Sequence, residues 1–188
     1  MYKLLGKRIL DIIIVFVAVV LLFPLMFIVV LLIKIVDPGP IIFKHNRVGI
    51  NGELFSFFKF RSMPVNTGDL ASDEIGQVKL TWVGKMIRRT NIDELPQLLN
   101  ILKGDMSIVG PRPPIGSQEE LLKVRKDNGS LGVRPGLTGL AQVNSFDGMT
   151  VLQKAAFDGE YVKEITFSND VKIILNTVLY LFKPPPVY

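Results

Sequence analysis

The sequence predicts a mainly helical α+β domain that is attached to a membrane. The segment Ile12–Ile33 holds 22 residues without a charge, and Pro24 is the only one of them that is not hydrophobic. Later apolar residues either recur at helical spacing or form two short segments around a turn, patterns that are typical of helices and of a β-hairpin. We therefore divide the 188 residues into a membrane helix at 1–36 and a globular domain at 37–188.

The apolar segment is long enough to cross a bilayer. As a straight helix it would measure about 33 Å, against roughly 30 Å for the hydrocarbon core. Pro24, near its middle, removes one helical hydrogen bond, so the segment is either a kinked span or a re-entrant hairpin that enters and leaves by one face. The basic residues that flank it are Lys3, Lys7, Arg8, Lys34, Lys44, Arg47, Lys59 and Arg61. The positive-inside rule would keep both flanks in the cytoplasm, but the residues alone leave the two topologies open.

Two strands are predicted after the membrane segment. Ile41–Phe43 and Leu54–Phe60 are apolar, and a turn signal at Asn51-Gly52 lies between them. The segment Asn66–Gly76 is polar and acidic, which is typical of a surface loop. We therefore expect a short β-hairpin that is followed by an exposed loop.

Helices are predicted on both sides of a proline-rich loop. Val83–Arg89 is a short basic helix, and a second helix begins at about Asn91, carries leucines at positions 95, 98, 99 and 102, and ends at Gly104. Ser107–Pro114 cannot form regular structure, because its prolines fix a stiff loop. A third helix is predicted at Gln118–Lys126.

The C-terminal part contains a glycine-rich segment and an apolar helix. Arg134–Asn144 is rich in glycine and carries an arginine beside a proline. Ser168-Asn169-Asp170 is a cap signal for a helix whose apolar stripe predicts either contact with the membrane interface or burial in the core. The stripe consists of Val171, Ile174, Leu175, Val178 and Leu181, and it is broadened by Ile173, Leu179 and Phe182.

Composition excludes several kinds of site. The chain has no cysteine, which excludes disulfides, thiolate metal sites and a cysteine nucleophile, and the single histidine, His45, cannot build a His-rich metal site. No P-loop motif and no dinucleotide-binding glycine motif is present. Lys plus Arg number 22 and Asp plus Glu 17, a net charge of +5 that favours anionic partners such as lipid headgroups, phosphates or nucleic acid.

Asp93 and Glu94 are the candidates for chemistry. Adjacent carboxylates at a helix start usually do no more than cap the helix. Here Arg88 and Arg89 directly precede the helix start, and Arg112 lies in the proline-rich loop beyond the helix. Arginines keep such a carboxylate ionised at neutral pH and are able to hold phosphates. An ionised Asp that faces a bound phosphate is either a ligand of Mg²⁺ or a nucleophile.

A series of motifs occurs along the chain. They are Lys7-Arg8…Asp11, the apolar segment with its central proline, Asp37-Pro38-Gly39-Pro40, Phe43…Arg47-x-Gly49, Lys59-Phe60-Arg61-Ser62-Met63, Asp93-Glu94-Leu95-Pro96-Gln97-Leu98, Gly104-Asp105-Met106-Ser107-x-Val109-Gly110-Pro111-Arg112-Pro113 and Arg134-Pro135-Gly136-Leu137-Thr138-Gly139-Leu140-Ala141-Gln142-Val143-Asn144. Together they resemble the bacterial sugar transferase family, the monotopic polyprenyl-phosphate phosphoglycosyl transferases. The resemblance covers nearly the whole chain and is to the short form, as in the enzyme that starts N-linked glycan assembly in Campylobacter-type bacteria.

The resemblance implies an undecaprenyl-phosphate sugar phosphotransferase. Such an enzyme moves a sugar 1-phosphate from a UDP-sugar to undecaprenyl phosphate, releases UMP, and initiates the assembly of O-antigen, capsule or glycoprotein glycans. The implied roles are a covalent phosphosugar intermediate on Asp93, which also contacts the required magnesium ion (Mg²⁺), and a second dyad carboxylate at Glu94. Lys59, Arg88 and Arg112 match basic positions near the phosphates.

The resemblance also implies a topology and a location. The N-terminal helix would be a re-entrant hairpin broken at Pro24, which makes the protein monotopic, and 37–188 would be a catalytic domain with interfacial helices at the cytoplasmic face of the bacterial inner membrane. The implied partners are the UDP-sugar, undecaprenyl phosphate and the phospholipid membrane, without nucleic acid; a homodimer and the identity of the sugar stay open. The alternative is a membrane-tethered, non-catalytic protein that binds anionic lipids.

Overall fold

The computed structural model describes residues 2–65, 80–144 and 149–181, so the predicted loop Asn66–Gly76 lies outside the described residues. The described part is mainly helical, with a long apolar N-terminal helix and a short β-hairpin, as predicted. The helices are α1 Lys7–Val36, α2 Trp82–Arg89, α3 Gln97–Lys103, α4 Glu119–Asp127, α5 Leu140–Asn144, α6 Val151–Lys163 and α7 Phe167–Leu181. The strands are β1 Ile42–Val48, β2 Leu54–Phe60, β3 Ser107–Val109 and β4 Gly136–Thr138.

Helix α1 contains the whole predicted apolar segment. It is 30 residues long, and by length and composition it is able to cross a membrane. Pro24 lies inside the helix, which continues on both sides of it. The break into two arms at Pro24 that the family resemblance implies is therefore not seen in the described backbone. A proline can remove one hydrogen bond and bend a helix while the neighbouring turns stay formed, and the re-entrant topology stays a prediction.

Polar contacts fix the N-terminal end of α1 to the globular domain. Lys7 Nζ lies 2.7 Å from a carboxylate oxygen of Asp170 in the first turn of α7. Asp11 accepts a 2.9 Å hydrogen bond from the backbone N–H of Ile108 in β3. Asp11 and Asp170 are both buried. Because a buried carboxylate is stable only with such partners, these contacts set the position of this helix end.

Apolar packing fixes the C-terminal end of α1. Val29 and Ile33 lie one helical turn apart, are 1% and 3% exposed, and pack against Phe60 of β2 and Val83 and Ile87 of α2. Most residues between positions 20 and 28 are exposed. Both ends of α1 thus contact the same globular domain, and its middle does so least.

Strands β1 and β2 form the predicted β-hairpin. They are antiparallel, with Ile42 opposite Phe60 and Val48 opposite Leu54. Asn51 in the turn has a φ of 56°, a left-handed conformation that asparagine tolerates. Strand β1 is longer than predicted because residues 44–47 are polar and carry no strand pattern, whereas pairing with β2 supplies their backbone hydrogen bonds.

The prediction that Ser107–Pro114 has no regular structure is wrong for its first residues. Ser107–Val109 forms β3, which pairs in parallel with β4 at Gly136–Thr138. A Cβ on Gly136 would overlap the backbone nitrogen of Gly110, so this glycine is needed for the close approach. The pairing joins segments 29 residues apart, Ser107 with Gly136, which is why no local signal predicts it.

The last two helices complete the core. Helix α6 was not predicted, although Thr150 and Gln153 form a capping box at its start, a signal that the sequence contained. Helix α7 begins at Phe167, and Ile173 is 1% exposed in the core. Members of the predicted apolar stripe lie on its other side, where Leu175 is 60% exposed. The helix thus packs on the core with one face and leaves an apolar face uncovered.

Candidate active site

The Asp93–Glu94 pair lies in a 3-10 turn in front of α3. The turn spans Ile92–Glu94, and α3 begins at Gln97, later than the predicted start at about Asn91. Pro96 has no N–H to donate to the carbonyl of Ile92; the N–H of Leu95 donates to it instead, at 3.1 Å. The predicted C-cap at Gly104 is confirmed, with a φ of 95°.

Two basic side chains converge on the pair. Lys59 Nζ, near the end of β2, lies 2.8 Å from Glu94 Oε1 and 3.7 Å from Asp93 Oδ2. Arg112 Nη2 reaches the same Glu94 oxygen at 2.7 Å. The structure therefore brings four of the five predicted site residues into one cluster. Glu94 is the acceptor that holds the two cations together.

Arg88, the fifth predicted residue, lies in the last turn of α2. Its positive charge acts on the Asp93 carboxylate. Its Nη1 is buried without a hydrogen-bond partner in the described part of the chain. A buried guanidinium nitrogen without an acceptor is costly, so this atom is suited to receive an anionic ligand beside Asp93.

Asp93 and Glu94 have opposite pKa shifts. Burial raises the pKa of Asp93, and the charge of Lys59 opposes this in part. Burial alone would also raise the pKa of Glu94, but the charges of Arg112 and Lys59 and their hydrogen bonds outweigh it and lower that pKa. The sequence predicted that the basic residues keep these carboxylates ionised. Their charges outweigh the effect of burial on the pKa at Glu94 only. At Asp93 burial dominates and makes the carboxylate more basic than an ordinary aspartate.

A buried ion pair that the sequence did not predict positions the Arg112 loop. Arg125 donates from Nε at 2.9 Å and from Nη2 at 2.6 Å to Asp158 Oδ2, and from Nη1 at 2.8 Å to the carbonyl of Arg112. The N–H of Val48 donates to the carbonyl of Pro114 at 2.9 Å. The loop is therefore held at two points. The partners are far apart in the chain, so no motif spacing could have found them.

Arg47 is a further basic residue at the cluster, and the sequence analysis did not include it among the site residues. Its guanidinium carbon lies 5.5 Å from the ring centre of Phe57. Burial, and then the charge of Arg112, lowers its pKa, whereas Glu94 raises it, so it stands within electrostatic reach of the cluster. Its buried Nε has no partner in the described residues. With Arg88, it gives the site two guanidinium groups with unused donors.

The donor set fits a magnesium ion only if substrate supplies further ligands. Among the described residues, no group of three or more His, Cys, Asp or Glu side chains is placed to hold a metal ion. Glu94 is engaged by Lys59 and Arg112, whereas Asp93 has an ion pair at 3.7 Å and no hydrogen bond that occupies its oxygens within the described part of the chain. Mg²⁺ is commonly bound by one or two carboxylates with substrate phosphates and water, so Asp93 is the residue suited to hold it.

Comparisons with known proteins agree on one family. A family model described as "Bacterial sugar transferase" matches residues 2–184. The chain is 38% identical over 193 aligned residues to a UDP-glucose:undecaprenyl-phosphate glucose-1-phosphate transferase of Caulobacter vibrioides. This alignment covers 98% of this chain and 72% of the relative.

Two longer relatives are also similar. A protein of the same name from Escherichia coli is 37% identical over 191 residues, which cover 97% of this chain and 41% of the relative. An undecaprenyl-phosphate galactose phosphotransferase of Salmonella typhimurium is 39% identical over 169 residues, which cover 81% of this chain and 35% of the relative. The chain thus spans less than half the length of these two relatives.

Proposed function

Because the chain belongs to the bacterial sugar transferase family, we propose that it moves a sugar 1-phosphate from a UDP-sugar to undecaprenyl phosphate and releases UMP. The observation that carries this proposal is the cluster at the start of α3. There, the buried Asp93 lies beside Lys59 and Arg88, and Glu94 ties Lys59 to Arg112. The product would start the assembly of a glycan at the cytoplasmic face of the inner membrane.

The first half of the reaction is an attack by Asp93 on the UDP-sugar. A carboxylate oxygen of Asp93 bonds to the β-phosphorus, and the bond from that phosphorus to the oxygen shared with the α-phosphate breaks. That oxygen leaves with UMP, and the sugar phosphate stays on Asp93 as an acyl phosphate. The raised pKa of Asp93 supports this role, since a more basic carboxylate is a better nucleophile once it is deprotonated.

The basic residues would bind the phosphates that take part. The unpartnered nitrogens of Arg88 and Arg47 offer donors beside the pair, and a guanidinium matches the geometry of a phosphate. Glu94 fixes Lys59 and Arg112 by direct contacts, so its role is to position the two cations. A bound magnesium ion on Asp93 would offset charge on the pyrophosphate.

The second half of the reaction regenerates Asp93. A phosphate oxygen of undecaprenyl phosphate bonds to the phosphorus of the acyl phosphate, and the bond from that phosphorus to the Asp93 oxygen breaks. The lipid carries a diphosphate-linked sugar away. Because one site serves both halves, UMP must leave before the lipid phosphate reacts.

Incubation with a UDP-sugar and Mg²⁺, without the lipid, tests the covalent step. We expect UMP to appear up to one equivalent of protein and the protein mass to rise by one sugar phosphate. A panel of UDP-linked N-acetylated hexosamines, deoxy-diamino sugars, glucose and galactose would identify the substrate. Direct transfer would be indicated instead by intersecting double-reciprocal lines with the lipid present and by no mass change with any sugar of the panel.

The alternative, a tethered protein that only binds anionic lipids, explains less of the site. It accounts for the apolar helix and the net charge of +5. It does not account for Asp93, which is 6% exposed, lies against Lys59 and has a raised pKa. A buried carboxylate among the cations would weaken the attraction of such a surface for anionic lipids, because it offsets part of the positive charge.

When the solution is acidified, the Lys59→Met variant is expected to lose its activity at a higher pH than the natural protein does. The reactive form of Asp93 is deprotonated, so activity falls as pH drops through its pKa. Lys59 lowers that pKa, and its removal raises the pKa further and moves the acid limb of kcat/KM upward. The pH profile of UMP release measures the shift, with Lys85→Met on the exposed face of α2 as the control. An acid limb that stays in place or moves downward contradicts Asp93 as the group that titrates.

We propose further that α1 is re-entrant. Its N-terminal end is bound through Lys7 and Asp11 and its C-terminal end through Ile33 to one domain, and its middle is mostly exposed. A helix that crossed the bilayer would carry one of these ends to the opposite side. A bend near Pro24 would let both ends stay on the same side while the apolar middle enters one leaflet.

Thiol labelling of a Lys3→Cys variant in intact cells tests this topology. Lys3 is exposed and the chain has no cysteine of its own, so the introduced thiol is the only target. We expect no labelling by an impermeant reagent until the inner membrane is permeabilised. Lys123→Cys on α4, in the globular domain, is the matched control. Labelling of Lys3→Cys but not Lys123→Cys in cells whose inner membrane is intact contradicts the re-entrant helix.

A further inference from the structure

An open apolar groove lies on the side of the β-hairpin that faces away from the Lys59 side chain. Its volume is about 500 Å³. It is lined by Ile42, Lys44, Phe58, Pro96, Leu99, Leu102 and Lys103. Leu99 is 48% exposed and Leu102 is 43% exposed, so α3 presents uncovered apolar surface to the groove. Nothing in the proposed reaction uses this surface.

Two ammonium groups flank the floor of the groove. Lys103 Nζ lies 4.5 Å and Lys44 Nζ lies 5.9 Å from the ring centre of Phe58. Neither lysine has a carboxylate within ion-pair distance among the described residues. The groove therefore combines an apolar floor with two positive charges that the described part of the chain does not neutralise. This combination is complementary to an amphiphile with an anionic headgroup.

The groove runs between the two ends of α1. At one end, Leu102 accepts a 2.9 Å hydrogen bond from Arg8 at the start of α1. At the other end, Ile42 packs against the cluster that contains Val29 and Ile33 near the end of α1. In the re-entrant topology proposed above, both ends of α1 lie at one membrane surface, so a groove that runs between them is placed at the lipid headgroups.

We propose that this groove binds one anionic glycerophospholipid, with an acyl chain along Leu99 and Leu102 and the headgroup phosphate at Lys44 and Lys103. The proposal rests on the re-entrant topology of α1 proposed above but not on the transfer reaction. Successive residues of a strand point to opposite faces, so Phe58 lies in the groove while Lys59 points to Asp93. A phosphate at Lys44 and Lys103 would thus lie on the other face of β2 from Asp93, which argues against the acceptor lipid as the occupant.

Counting retained lipid tests the proposal. The full chain is stripped of lipid in detergent, mixed with phosphatidylglycerol or with phosphatidylcholine, and analysed by native mass spectrometry without any UDP-sugar. We expect one tightly held phosphatidylglycerol and roughly 30-fold weaker binding in the Lys44→Glu/Lys103→Glu variant, the effect of two lysines at an anionic headgroup. Lys123→Glu/Lys126→Glu on α4 makes the same charge change on exposed residues and should bind as the natural protein does.

Three results would overturn the proposal. The first is retention of phosphatidylglycerol by the groove variant at the level of the control variant, and the second is equal retention of phosphatidylcholine by the natural protein. The third concerns undecaprenyl phosphate, added in place of phosphatidylglycerol. If the groove variant loses undecaprenyl phosphate binding but still retains phosphatidylglycerol, the groove belongs to the acceptor. If circular dichroism shows that the Lys44→Glu/Lys103→Glu variant is not folded, Lys44→Gln/Lys103→Gln replaces it. Failure of the transfer proposal is separate, since absence of UMP release leaves the lipid count unchanged.

Discussion

Asp93→Asn is expected to abolish turnover and to leave the fold intact. The amide has nearly the same shape as the carboxylate but cannot displace UMP from the β-phosphorus, so kcat should fall by about three orders of magnitude or more. Lys59, the cation in ion-pair contact with Asp93, keeps Glu94 as a counter-ion in the variant, so the variant should be about as stable as the natural protein. UMP release and the melting temperature in detergent measure the two effects.

Asp127→Asn is the matched control for this substitution. Asp127 is an exposed residue at the end of α4, and its replacement should change neither UMP release nor melting. The mass increase with UDP-sugar should be absent in Asp93→Asn and present in Asp127→Asn. If Asp93→Asn kept more than a few per cent of the natural rate, the covalent role of Asp93 would be wrong.

Asp158→Asn is expected to destabilise the protein strongly. The side chains of Arg125 and Asp158 are 5% and 2% exposed, and the substitution leaves the buried Arg125 charge without a counter-ion. Removing one partner of a buried pair costs about 3–5 kcal/mol, which corresponds to a melting temperature lower by roughly 10 °C. Because Arg125 also donates to the carbonyl of Arg112, the phosphate-binding loop should loosen and KM for the UDP-sugar should rise.

Glu160→Gln separates the buried pair from a general effect of charge on α6. Glu160 lies on the same helix, is exposed, and carries the same charge as Asp158. The variant should melt within about 2 °C of the natural protein, as surface substitutions usually do. Equal melting of Asp158→Asn and Glu160→Gln would contradict the contribution of the pair to stability, and an unchanged KM in Asp158→Asn would contradict its hold on the loop.

Much of the fold was predictable because its signals are local. A charge-free segment of 22 residues specifies α1, and the apolar residues of Leu54–Phe60 with the turn at Asn51-Gly52 specify the β-hairpin. The C-cap at Gly104 was equally predictable, since a positive φ favours glycine. The start of α3 was missed, although the missing N–H of Pro96 was visible in the sequence.

The site was predictable as a set of residues but not as an arrangement. Motif resemblance and the neighbouring arginines selected Asp93, Glu94, Lys59, Arg88 and Arg112. The sequence could not indicate that one Glu94 oxygen accepts from both Lys59 and Arg112, or that burial raises the pKa of Asp93. Burial depends on what the remainder of the chain packs around a residue, and no spacing encodes it.

Local sequence signals specify the apolar helix, the hairpin and the chemical types of the site residues, because composition and periodicity act within a few neighbouring residues. Long-range packing is needed for three further features: the parallel pairing of β3 with β4, the hydrogen bond of Arg125 to the Arg112 loop, and the attachment of both ends of α1 to one domain. Each of these joins segments that are far apart in the chain. Their free energy comes from burial and from partners that exist only when the whole domain has packed.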